Sequence, residues 1–190
     1  MATNAREFGI EMTSIPKRHL RNVLQALLHS IFFHRLLVNV KPRELNVLDT
    51  TVSITDSWEV EALIEEKTNE FLSSLHDNTK QGKIAVLFYE KKSARNWFQI
   101  TRTEELVCWE RWTLTLGLAQ DSPESQDGMC GRQLSQSLLE ILKMANDHKE
   151  NVPSITTIDG NPFPYRIVIP SRSESWSAMM RRLLVTDTLT

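Results

Sequence analysis

The first half of the chain alternates between two apolar patterns, one typical of strands and one typical of helices. Phe8, Ile10 and Met12 alternate with polar or small residues, which predicts a short strand buried on one face. From residue 20 to about residue 37, apolar side chains recur at helical spacing and form a broad stripe. A stripe of this width predicts a long helix that packs against the centre of the core.

A second strand and a second helix are predicted after a break at residues 41–43. Residues 49–55 alternate β-branched and polar side chains, which is typical of a strand. The next four residues, Asp56-Ser57-Trp58-Glu59, fit the start of a helix capped by a serine hydroxyl. That helix is apolar on one side and rich in glutamate on the other, and the glutamates are more typical of a solvated surface than of a binding site.

Two long strands are predicted in the second half. Residues 83–90 are almost continuously apolar, which indicates a strand covered on both faces in the middle of a sheet. Residues 106–118 place Trp112 and three leucines on one face and polar residues on the other. The polar face of this strand should be at least partly in contact with water.

The remaining pattern predicts a third helix and a short strand. Residues 121–131 favour a loop, after which apolar residues recur at helical spacing from about residue 131 to residue 149. Residues 165–169 favour a short strand, and residues 176–190 fit either a strand or a short helix. The whole pattern predicts an α+β fold with about three helices, and the length favours one domain over residues 1–190.

Composition narrows the class of partner. The chain has 22 basic and 24 acidic residues, so its net charge of −2 provides no global attraction to nucleic acid or to an anionic membrane. Apolar residues make up 41% of the chain, which is typical of a globular protein and favours other proteins as partners. The two cysteines, Cys108 and Cys130, are too few for a disulfide-stabilised scaffold, and we expect both to be reduced.

No segment of the sequence resembles a secretion leader or a membrane anchor. Residues 1–9 lack the apolar stretch of a signal peptide, so we expect a cytoplasmic protein. The most apolar region, residues 20–40, contains arginines and histidines that are costly at the centre of a bilayer, so we expect no stable membrane insertion.

The motifs of common catalytic and cofactor sites are absent. There is no zinc-binding spacing of cysteine and histidine, no glycine-rich phosphate loop and no nucleophile elbow. Cys108 lies between apolar neighbours in a predicted strand, where burial should raise its pKa instead of activating the thiol. We therefore expect no metal, no cofactor and no catalysis, although a small enzyme with a divergent site remains an alternative, because catalytic groups assemble in space.

The segment around residues 91–103 is the most informative about function. It places Trp97 and Phe98 in a polar, partly basic context that fits neither a helix nor a strand. One interpretation is a docking loop, because large aromatic side chains are common anchors of protein interfaces. A second is a lid that folds back on the protein's own core. A third is contact with single-stranded nucleic acid or a membrane through stacking or insertion beside basic residues.

Six short motifs occur in an order that resembles the autophagy-related protein 101 family. They lie at residues 28–35, 88–93, 97–98, 108–113, 144–148 and 180–184, the last followed by residues 187–189. The resemblance implies a HORMA fold, with a central antiparallel sheet flanked by helices, and no catalytic activity. It also implies that the chain binds and stabilises the HORMA domain of autophagy-related protein 13 within the kinase complex that initiates autophagosome formation.

The resemblance further assigns roles to two parts of the chain. It implies that Trp97 and Phe98 form a finger that recruits downstream autophagy factors, with the protein moving from the cytoplasm to the preautophagosomal structure. The two aromatics are adjacent here, whereas family members can carry a proline between them. Residues 153–190 correspond to a C-terminal belt-like segment that is too short to close around a partner. The nearest alternative keeps the fold and makes the chain a HORMA adaptor of a checkpoint or chromosome pathway.

Overall fold

The computed structural model describes residues 5–37, 41–94, 103–119, 127–155, 161–170, 175–183 and 185–187. Over these residues the chain forms β1 (Arg6–Pro16), α1 (Lys17–Arg35), β2 (Pro42–Val47), β3 (Thr50–Thr55), α2 (Trp58–Ser74), β4 (Gln81–Ala94), β5 (Thr103–Ala119), α3 (Asp127–Asp147), β6 (Tyr165–Val168), α4 (Trp176–Leu183) and β7 (Val185–Asp187). A short 3-10 helix, Lys149–Asn151, follows α3.

The central sheet has the strand order β1-β5-β4-β6 and is mostly antiparallel. β1 runs parallel to β5, while β4 pairs with β5 and β6 in the antiparallel sense. β7 pairs with Glu105–Val107 of β5, and β1 pairs with the same edge of β5 from Glu110 onward. This helix-flanked α+β sheet confirms the predicted fold class and agrees with the HORMA-like architecture that the resemblance implied.

β4 is covered on both faces, as its continuous apolar sequence predicted. On one face, Ile84, Val86 and Phe88 belong to a larger core, formed by buried side chains of β1, α1, α2, α3, the β2–β3 pair and the sheet. On the other face, the strand contributes to a smaller core under α4. The smaller core consists of Ala85, Leu87, Tyr89, Cys108, Met179, Met180 and Leu183.

The helix predicted from residue 20 to about residue 37 and the helix predicted to start near Asp56-Ser57-Trp58-Glu59 are confirmed as α1 and α2. α1 begins directly after Pro16, whose fixed φ and lack of an N–H suit this end of a helix. At the start of α2, the Ser57 hydroxyl accepts a hydrogen bond from the Val60 N–H at 3.5 Å, which is the cap that the sequence predicted.

A strand that the sequence did not predict, β2, pairs with β3 to form a hairpin. The helical pattern was expected to break at residues 41–43, and α1 does end before them. The sequence did not indicate that a strand begins there, with Pro42 at the first position of β2, where a strand tolerates proline. Leu48 and Asp49 form the two-residue turn and have φ values of 49° and 60°. Positive φ at both turn positions matches the right-handed twist of a hairpin, although the usual Asn-Gly signal is missing.

The loop expected at residues 121–131 was also wrong at its C-terminal end, because α3 begins at Asp127. The Asp127 carboxylate lies in the first turn, where negative charge is favourable. It forms an ion pair with Arg18, and its Oδ1 lies 2.9 Å from His19 Nε2. Gly131, which favoured a loop in the sequence, packs against the hairpin turn. A Cβ at this position would lie 3.0 Å from the Leu48 carbonyl oxygen, so a side chain there would require the turn to shift.

For residues 176–190 the sequence pattern fitted either a strand or a short helix. The structure contains both, the helix α4 followed by the strand β7. β6 lies beside β4, α4 contributes to the smaller core, and β7 lies beside β5. The Tyr89 hydroxyl donates a hydrogen bond to the Leu183 carbonyl oxygen at 2.9 Å, which ties the end of α4 to the middle of β4. The described part of the C-terminal segment therefore has one strand on each side of the β4–β5 pair.

Candidate protein-interaction surfaces

The predicted finger residues, Trp97 and Phe98, lie outside the described residues, but the strands that lead to them are described. The β4–β5 ladder continues as far as the pair Ala94 and Thr103. Trp97 and Phe98 therefore belong to the segment that connects β4 to β5, and these strands are paired up to its two neighbouring residues, Ala94 and Thr103. The sequence assigned residues 91–94 to a loop, which was wrong, because they continue β4.

The end of the β4–β5 pair extends beyond most of the sheet as a ribbon, which we define as residues 90–94 and 103–107. Pairing with β6 ends at Phe88, and pairing with β1 begins at Glu110. The ribbon carries both signs of charge, because Lys92 forms an ion pair with Glu90 at 2.7 Å and lies opposite Glu105. This mixture does not favour the nucleic-acid interpretation, which requires an excess of basic residues.

A β-bulge marks the base of the ribbon. Phe88 pairs with Glu110 and Tyr89 pairs with Cys108, which leaves Trp109 as the extra residue of β5. The bulge directs Trp109 and Glu110 toward the larger core. The Trp109 ring contacts Phe88 and Phe163, with ring centroids 5.9 Å and 5.2 Å apart.

Glu110 is fully buried and forms an ion pair with Arg35 at the end of α1. Arg35 donates from Nε to Glu110 Oε1 at 2.7 Å and from Nη2 to Glu110 Oε2 at 3.1 Å. The Trp112 indole N–H donates to the same carboxylate at 2.5 Å. Two further bonds of 3.2 Å join Arg35 to the Ala145 carbonyl oxygen near the end of α3. One buried network therefore joins α1, β5 and α3.

An uncharged groove lies between α1, β3 and α3. Its volume is about 440 Å³, and its lining includes Phe33 and His34 of α1 and three leucines of α3. The full lining is Ser30, Phe33, His34, Thr50, Thr51, Val52, Ser53, Ser135, Leu138, Leu139 and Leu142. Burial and then the nearby Arg35 charge lower the pKa of His34 below 6.5, so the groove holds no net charge at neutral pH.

Two of the groove leucines are strongly exposed. Leu139 has 60% of its surface in contact with solvent and Leu142 has 46%, and both lie on one side of α3. Leu142 is one of the apolar residues whose helical spacing predicted α3 from the sequence. The stripe is wider than the core requires, and its excess width is the signal that could have identified this surface.

The described residues show neither an exposed, activated thiol nor a metal-binding cluster. Both cysteines are free and buried, as expected. Burial raises the pKa of the Cys108 thiol to about 12 and also raises the pKa of Cys130, so neither forms a thiolate readily. Among the described residues, no three His, Cys, Asp or Glu side chains lie close enough to hold a metal ion.

None of the helices in the described ranges combines the length and the apolar character needed to cross a bilayer.

Comparison with known proteins identifies relatives over most of the chain. Residues 13–159 match the family model described as autophagy-related protein 101. A protein of that name from Arabidopsis thaliana is 32% identical over 184 residues, and the match covers 82% of this chain and 83% of the relative. A protein of the same name from Schizosaccharomyces pombe is 25% identical over 171 residues, which cover 90% of each chain. These names describe a role in autophagy and no enzyme activity.

Proposed function

The chain belongs to the autophagy-related protein 101 family and has a role in autophagy, and we propose that within this role it is a non-catalytic adaptor. It pairs with the HORMA domain of autophagy-related protein 13 and so joins the kinase complex that initiates autophagosome formation. It recruits downstream factors through Trp97 and Phe98, and moves from the cytoplasm to the preautophagosomal structure. The observation that carries the pairing is the uncharged groove with its two exposed leucines.

The groove suits a stable protein partner. Exposed leucines on a regular helix lose contact with water when a partner covers them, at about 25 cal/mol per Å² of apolar surface. The groove has no charged side chain that would require a compensating charge, and charged residues are depleted at the centres of interfaces. The helix is held by the larger core beneath it, so binding requires little ordering of the surface.

The test of pairing is the double variant Leu139→Asp with Leu142→Asp. Each change places a charge in the proposed interface, and we expect the affinity for the HORMA domain of autophagy-related protein 13 to fall by about 100-fold or more. The free energy of unfolding should fall by no more than about 2 kcal/mol, because Leu139 is mostly exposed and Leu142 is nearly half exposed. Titration calorimetry measures the first quantity and urea denaturation the second.

Met129→Asp is the matched control, because Met129 is an exposed apolar residue of the same helix that does not line the groove. It should bind the partner as the wild type does. If the wild-type chain forms no complex with the HORMA partner at micromolar concentration, the pairing proposal is wrong. Equal loss in the control would place the interface elsewhere on α3.

The recruiting role of Trp97 and Phe98 is tested with both changed to alanine. The finger interpretation expects recruitment of downstream factors to be lost, with a melting temperature within about 2 °C of the wild type. The lid interpretation expects a fall of many degrees, because removing buried aromatics costs about 3–5 kcal/mol each. Trp58→Ala is the control for loss of a surface tryptophan, since Trp58 is 78% exposed.

A further inference from the structure

We propose that the buried pair Arg35–Glu110 is a positioning device for partner binding, which holds the C-terminal end of α3 and the groove leucines in the orientation that the partner requires. The proposal rests on the proposed function of the groove. It assigns a role in recognition to residues that are almost completely buried and that no partner can touch.

The geometry of the network makes α3 its target. The last four carbonyl groups of a helix have no partner within the helix, and Ala145 carries one of these groups in α3. Two nitrogens of Arg35 donate to this carbonyl oxygen at 3.2 Å each. The guanidinium charge also lies at the negative end of the helix dipole, where a cation is favourable.

The carboxylate of Glu110 fixes the direction of the guanidinium. It accepts two bonds from Arg35 as a fork, and the Trp112 indole holds the carboxylate in turn. Arg35 also lies over the Trp112 ring, with the guanidinium carbon 5.9 Å from the ring centroid. The position of the α3 end is therefore set by directional bonds from β5 through α1.

Stability alone gives no reason for a buried ion pair at this point. Removing two charges from water is costly, and apolar residues of similar volume often stabilise a core as well or better. What apolar residues cannot supply is a fixed direction. Directional bonds are useful where one surface must keep one shape, and the groove beside the network is such a surface.

The network lies next to the groove along both helices. His34 lines the groove and directly precedes Arg35, and Arg35 donates to the His34 carbonyl oxygen at 3.3 Å. Leu142 lies less than one turn before Ala145. A shift of the α3 end changes the spacing between Leu142 and the α1 wall of the groove.

The experiment that tests this proposal uses the double variant Arg35→Met with Glu110→Gln. Both new side chains are uncharged but similar in size to the originals, so the packing around them is largely kept. The glutamine can still accept from the Trp112 indole, whereas the Ala145 carbonyl oxygen loses the Arg35 donors. We expect a folded protein whose affinity for the HORMA domain of autophagy-related protein 13 is about tenfold weaker. Amide hydrogen exchange should become faster in the last two turns of α3, in the absence of any partner.

Unchanged exchange in α3, or unchanged affinity in the folded double variant, overturns the proposal. If the double variant does not fold, Arg35→Lys replaces it, because lysine keeps a cation near Glu110 but loses the planar fork. The same two changes are expected there, and their absence is equally decisive. If the wild type binds no HORMA partner, the pairing proposal fails, whereas the exchange measurement still reports whether the pair positions α3.

Discussion

The two faces of the sheet differ in how their cores are built. The larger core is covered by three long helices, and its buried side chains come from nearly every element between β1 and β6. The smaller core is covered by α4, an eight-residue helix from the C-terminal segment, and has seven buried members among the described residues. We infer that the larger core determines global stability, whereas the smaller core determines how firmly the C-terminal segment is attached.

The two proposed interaction surfaces depend on different cores. The groove is built on α1, β3 and α3, which pack on the larger core. The ribbon toward Trp97 and Phe98 has β7 as an edge partner, and β7 follows directly after α4. Partner pairing should therefore resist local opening better than recruitment through the finger.

The largest expected effect comes from Trp112→Ala in the larger core. Trp112 is fully buried, contacts Phe8 with ring centroids 4.4 Å apart, and donates to the buried Glu110 carboxylate. We expect a loss of about 3–5 kcal/mol in the free energy of unfolding, measured by urea denaturation. Trp58→Ala, at an exposed site, should change it by less than about 1 kcal/mol. Equal effects of the two variants would contradict the inference that the larger core determines global stability.

The second prediction concerns the pH dependence of the free energy of unfolding, to which His29 of α1 contributes. Burial, and then the charge of Arg43, lower the pKa of His29 from 6.5 to about 4 in the folded protein. Between these values the unfolded chain binds the proton and the folded chain does not, so stability is complete above pH 6.5 and falls as the pH drops toward 4. The loss between pH 7 and pH 5 should be about 2 kcal/mol.

The control for this prediction is His29→Gln, which removes the titrating group while keeping a polar side chain. The free energy of unfolding of this variant should depend less on pH between 5 and 7. His34, whose pKa is also lowered, contributes in the same direction in both proteins and does not alter the comparison. Parallel pH curves for the wild type and the variant would show that His29 is not the responsible group.

The helices and the long strands could be predicted from the sequence because their patterns come from burial. The strand covered on both faces, β4, has a continuous apolar run, and α1 has an apolar stripe along its length. These signals are local in the chain, so they can be recognised without knowledge of the partner elements. The assignment of Cys108 to the core follows from the same kind of pattern.

The features that escaped prediction depend on contacts between distant residues. Arg35 and Glu110 are 75 positions apart, and the bulge that directs Glu110 inward leaves no mark in the apolar pattern. β2 is mostly exposed and begins with proline, so it lacks the alternation that indicates a strand. The roles of Trp97 and Phe98 stay a prediction, because these residues lie outside the described ranges.

A smaller effect is expected in the smaller core from Met180→Ala. Met180 is buried against β4 and β5, but its helix is short and near the end of the chain. We expect the global free energy of unfolding to fall by about 1–2 kcal/mol, which is at or below the usual cost for a buried methionine. The clearer sign should be faster amide exchange in β7 and in residues 105–107, with α3 unchanged. Ser177→Ala, on the exposed side of α4, is the control.

The smallest expected effect is a gain of stability from Asp49→Gly in the β2–β3 turn. Asp49 is exposed and has a φ of 60°, a conformation that glycine adopts without steric cost. The variant should gain up to about 1 kcal/mol in urea denaturation, less the entropy that glycine adds to the unfolded chain. Gly131→Ala, on the other side of the same contact, should not gain the about 1 kcal/mol that alanine usually adds over glycine inside a helix, because its Cβ would lie 3.0 Å from the Leu48 carbonyl oxygen. A loss of stability in Asp49→Gly would mean that the Asp49 side chain stabilises the turn, whereas a full gain in Gly131→Ala would mean that the turn moves away from α3 without cost.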